Sequence, residues 1–95
     1  MNYFTEIRHA IRRTHGCESE HVLTLPVKEY AGGQILWNGQ VEVFALTGHP
    51  KAKRAYAWGF ADGRGGLEVT AILELPPVES AVAAVRAALA AKVKK

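Results

Sequence analysis

From residue 3 to residue 14 the larger apolar side chains fall at Tyr3, Phe4, Ile7, Ala10 and Ile11, the spacing that stripes one face of an α-helix. Asn2 stands where an N-cap is wanted and Gly16 where a left-handed C-terminal cap is wanted. After a connector over 17–20, Val22, Leu23, Leu25 and Val27 mark a strand reaching about Tyr30, and Pro26 makes it an edge or a bulged strand. Ala31-Gly32-Gly33 reads as a turn. Residues 34–37 and 40–46 then read as two strands joined by Asn38-Gly39, a pair that tolerates positive φ. Gly48-His49-Pro50 breaks the chain before a strand over 54–60. Asp62-Gly63-Arg64-Gly65-Gly66 reads as a hairpin loop, and 67–75 alternates Leu67, Val69, Ala71, Leu73 and Leu75 against Glu68, Thr70, Ile72 and Glu74. Pro76-Pro77 ends that strand, and an alanine-rich helix follows over 78–93 with Val78, Val82, Val85, Leu89 and Val93 on one stripe.

The pattern therefore predicts an α+β domain: an N-terminal helix, an antiparallel meander of four to five strands and a C-terminal helix. Two amphipathic stripes need cover, and laying both helices on one sheet face gives the economical two-layer solution. Ninety-five residues suffice for one core, so 1–95 reads as a single domain. With 48% of residues hydrophobic and 22% charged, the chain has a globular balance. No apolar run approaches the roughly 18–20 residues that span a bilayer, and the first fifteen residues are no signal peptide. A lone cysteine, Cys17, fits a reducing, cytoplasmic compartment.

Twelve Lys and Arg against nine Asp and Glu leave a mild positive balance, so local clustering decides what charge can do. Three basic groups stand out: Arg8, Arg12 and Arg13; Lys51, Lys53 and Arg54; and Lys92, Lys94 and Lys95. The first reads as a solvated helix face and the last as a complement to the helix dipole.

Little in the chain carries catalytic or metal chemistry. His15 and Cys17 form no pattern of a thiolate enzyme. His15, Cys17 and His21, with His9 or His49 as a fourth, lack the paired short spacings of a zinc site. The glycine-rich stretch 62–66 lacks the Lys-Ser/Thr ending of a P-loop, and no cofactor is implied.

The segment from His49 to Phe60 draws the eye. Lys51, Lys53 and Arg54 lead into a strand with Arg54, Tyr56, Trp58 and Phe60 on one side and Ala55, Ala57 and Gly59 on the other. One reading packs the aromatic side beneath the helices. The other packs the alanine side there and leaves the aromatics, with Phe44, on an open face that bases could stack on or a second copy could cover. Glu42, Glu68 and Glu74 would share that face and weigh against nucleic acid.

The stretch VEVFALTGHPKAKRAYAW (41–58), together with LELPPVESAVAAVRAAL (73–89), resembles a group of short bacterial proteins whose function is uncharacterised. That resemblance implies no activity and no site residues. The helix–meander–helix order also resembles double-stranded RNA-binding domains, but their basic run opens the last helix, where this chain has Pro77-Val78-Glu79-Ser80. The reading that the residues favour is a non-enzymatic binding or protein-interaction module, with a homodimer as one form of it. The alternatives are single-stranded nucleic-acid binding through 51–60 and a small thiol-based enzyme.

Overall fold

The computed structural model describes the backbone of residues 4–61, 63–64 and 67–93, with the side chains of 60, 61, 67, 92 and 93 outside the description. Its elements are α1 (Phe4–His15), β1 (Glu18–Ala31), β2 (Gln34–Thr47), β3 (Arg54–Ala61), β4 (Leu67–Leu73) and α2 (Ala81–Val93). The strands form one antiparallel sheet in the order β1-β2-β3-β4. Helix α1 buries Ile7, Ala10 and Ile11, and it stops at Gly16, whose φ of 70° lets its N–H reach the Arg12 carbonyl at 2.9 Å. The N-cap expected at Asn2 lies outside the described residues. Helix α2 starts three residues later than its apolar stripe, because the Ser80 hydroxyl accepts the Ala83 N–H at 3.1 Å and caps it.

The hairpin expected at Asn38-Gly39 is not formed; β2 runs unbroken through both residues, and the turn is Gly32-Gly33, with φ of 58° and 79°. Two glycines take a double positive-φ turn without steric cost, whereas Asn-Gly does so only with its second residue. Tertiary packing reinforces the choice. Gly39 pairs with Val27, and the Trp37 ring lies over it so closely that an added Cβ would meet Cη2 at 3.0 Å. Reversal at 38–39 would fold Trp37 away from the core that Val27 and Val41 share. As anticipated from Pro26, β1 is an edge strand and is bulged, at Val22.

Adjacent strand residues point to opposite faces, and the register shows which helix meets which face. Val43 pairs with Tyr56, which pairs with Ile72; Phe44 pairs with Ala55, which pairs with Leu73. Val41, Val43, Tyr56 and Trp58 pack with Val78, Ala81, Ala84 and Val85 at α2. Phe44, Ala55 and Ala57, with Val69, Ala71 and Leu73, pack instead with Ile7 and Ile11 of α1. The α+β class, the element order and the packing of helix on antiparallel sheet are as the sequence predicts. The sharing of one face by both helices is corrected, since each helix covers its own face. The cause lies in β3, where Ala55, Tyr56, Ala57 and Trp58 are all buried and both sides therefore need cover.

Candidate interaction surface

Of the six residues that the sequence singled out, the structure leaves the cations outside and takes two rings inside. Lys51, Lys53 and Arg54 are exposed. They lie on and beside a turn held by His49, whose Nδ1 accepts the N–H groups of Lys51 (3.1 Å) and Ala52 (2.8 Å). His49 is thus a turn brace. Tyr56 and Trp58 are each 4% exposed beneath α2, which corrects the reading of an open aromatic face. Trp58 meets Trp37 edge to face, with ring centroids 5.4 Å apart. The Tyr56 hydroxyl donates to Glu74, and burial together with that bond pushes the phenol up to about 12. Phe60 pairs with Glu68 through its backbone, and its side chain lies outside the description.

Phe44 does not join those aromatics. It pairs with Ala55 and is fully buried on the α1 face, with Glu42 on the same side and Glu68 and Glu74 on the other.

Glu42 is a charged residue within the apolar run 41–46, and it is only 3% exposed. Its Oε1 accepts the Thr24 hydroxyl and lies 2.9 Å from His21 Nε2. Phe4 stacks on the His21 ring at 4.0 Å, and Phe44 meets both rings edge-on. A buried carboxylate needs such partners. The trio contains the residue types of a nucleophilic triad but not its geometry. A catalytic imidazole uses one nitrogen for the nucleophile and the other for the acid, whereas here Thr24 and Glu42 both sit at Nε2. The cluster ties β1 to β2 beneath the start of α1. Its sequence signal was the carboxylate standing alone between Val41 and Phe44.

Cys17 is 3% exposed, and burial, with the neighbouring Glu18 carboxylate, pushes its thiol up. Geometry and charge both oppose a thiolate nucleophile. Iodoacetamide should label the folded chain slowly at neutral pH and speed up only as pH passes the ordinary thiol range; rapid labelling at pH 7 would contradict this environment. Among the described residues, no group of three His, Cys, Asp or Glu could hold a metal ion.

A different surface remains. Among the described residues, the large apolar side chains left exposed, Val22, Leu23, Leu25, Tyr30, Ile35 and Leu36, all lie on β1 and β2, with exposures from 39% to 59%. These strands have 14 residues each against 8 in β3 and 7 in β4, and β2 pairs with β3 only over Glu42–Ala45. The β1–β2 hairpin therefore extends as an arm past the rest of the sheet. Across residues 22–41 the charged residues are Lys28 and Glu29, and Glu29 is paired with Arg86 of α2 at 2.6 Å. Leu23 and Leu25 lie on the face of Val41 and Val43 and the Tyr30–Ile35 pair on the opposite one, so the arm is apolar on both faces, a concentration that marks an interface rather than ordinary surface scatter.

Comparison of the chain with known protein families, with curated proteins and with solved structures finds no match. Among the described residues, no helix is long and apolar enough to cross a membrane.

Proposed function

We propose that the protein is a non-enzymatic interaction module that docks through its β1–β2 arm onto a second copy of itself. The observation that carries this reading is the gathering of Val22, Leu23, Leu25, Tyr30, Ile35 and Leu36 on one hairpin. In a symmetric contact the same patch faces itself, so a net charge of one sign would repel its copy and a nearly neutral surface favours self-docking. The arm meets that condition, with Lys28 as its one cation and Glu29 neutralised by Arg86. Its two strands of 14 residues also supply about the 20–30 residues per side of a stable interface.

Single-stranded nucleic-acid binding through 51–60 has weaker support. Bases need exposed rings to stack on, and Tyr56 and Trp58 are buried, which leaves Lys51, Lys53 and Arg54 as the exposed candidates among the described side chains there.

Sedimentation equilibrium from low micromolar to several hundred micromolar tests the proposal. The expected result is a mass rising from the 10.3 kDa of one chain toward twice that value, with Leu25→Lys and Ile35→Lys each weakening association by tenfold or more. A single-chain mass across the whole range would overturn it.

A further inference from the structure

Successive peptide groups of a strand point to alternate neighbours, so one cross-strand bond fixes the direction of the rest. The Leu46 N–H donates to the Lys53 carbonyl, which turns even-numbered residues at that end of β2 toward the β3 side. Register with β1 is unbroken from Leu23↔Val43 to Glu29↔Trp37, so the alternation carries down to Gln40 and Asn38. Their peptide groups face away from β1, and β3 does not pair with them.

The same alternation sets the outer edge of β1. Pro26 pairs with Gln40 and Lys28 with Asn38, so the Pro26 nitrogen, which has no hydrogen, and the peptide group of Lys28 both face outward. With the bulge at Val22, that edge carries a bulge, a proline and a lysine, three devices that block strand addition. The free edge of β2 carries neither proline nor charge over residues 34–41, QILWNGQV, and its own bulge, at Leu36, lies toward the turn and leaves the pairing regular from Trp37 to Val41. The outer edge of β1 is guarded along its length, and the inner edge of β2 is left open at Asn38 and Gln40.

The geometry points to antiparallel pairing of the free β2 edge with the same edge of a second copy, about a two-fold axis at Gly39 that sets Asn38 of one copy against Gln40 of the other. The product is a four-stranded ribbon with both β2 strands inside and both guarded β1 edges outside. This rests on the arm being the self-docking surface, and it names the bonds that make the contact.

Hydrogen exchange by NMR on the unmodified chain tests it at two concentrations, one well below and one well above the dissociation constant from sedimentation. The Asn38 and Gln40 amides are expected to exchange about tenfold or more slowly in the dimer. If sedimentation shows a dimer while these amides exchange equally fast at both concentrations, edge pairing is wrong and the arm associates through its faces instead. If the chain stays monomeric, the self-docking reading fails as well. Gln40→Pro removes a hydrogen from the free edge alone, as Pro26 does on the other edge. It should keep the far-ultraviolet dichroism of the parent and lose dimerisation, and a Gln40→Pro dimer as tight as the parent would overturn the pairing. The exchange result stands whether or not that variant folds.

Discussion

Trp58→Ala is expected to lower the unfolding free energy by about 3–5 kcal/mol, the range for truncating a large buried aromatic. A domain of this size has only about 5–15 kcal/mol in all, so the variant should sit near the edge of folding. The indole is 4% exposed and lines a small cleft with Trp37, Val85, Ala88 and Leu89. Its loss therefore leaves a cavity beneath α2, and residues that share a cavity couple by roughly 0.5–3 kcal/mol. Urea denaturation of a double-mutant cycle with Val85→Ala should show that coupling. The cycle with Ile11→Ala should be additive, because Ile11 packs on the other side of the sheet. Coupling to Ile11 and none to Val85 would place Trp58 under the wrong helix, and a cost below about 1 kcal/mol would return the ring to the surface.

Much of the fold was legible because periodicity survives wherever an element has one wet side. Helix α1, with Ile7, Ala10 and Ile11 inward and Arg8, Arg12 and Arg13 outward, is such a case. Strand β3 is not. Its 55–59 stretch, Ala-Tyr-Ala-Trp-Gly, alternates in size but holds no polar residue, and a strand apolar on both sides is one that is covered on both sides. Reading size alternation as inside against outside hid the second helix–sheet layer. The hairpin expected at Asn38-Gly39, where β2 runs on unbroken, had a related effect. Because side chains alternate with a period of two, misjudging how β2 pairs with β3 by one residue moves Phe44 and Glu42 to the other face. The His21–Thr24–Glu42 contact depended on that register and on the bulge at Val22, so spacing along the chain could not show it. The exposed arm was hidden for another reason. Leu23, Leu25, Ile35 and Leu36 look like core residues until β2 is found to pair with β3 only over Glu42–Ala45.

The position of Phe44 gives the most direct check on that register. Among the described residues it is the largest fully buried side chain, and it packs with Ile7, Ile11 and Ala55 beneath α1. Phe4 stands over it at a centroid distance of 6.1 Å and His21 at 5.4 Å, both edge-on. Phe44→Ala is expected to cost about 3–5 kcal/mol, and part of that cost is polar. Removing the ring opens a path for water to the Glu42 carboxylate and takes away the surface that keeps His21 within 2.9 Å of it. Phe44→Leu keeps most of the volume and the apolar cover, so it should cost about 1 kcal/mol. Urea denaturation orders the parent and the two variants. The His21 ring resonances should shift in Phe44→Ala, which leaves water beside the imidazole, far more than in Phe44→Leu. If Phe44→Ala unfolds at nearly the same urea concentration as the parent, the ring is not beneath α1, and the pairing of Phe44 with Ala55 is off by one.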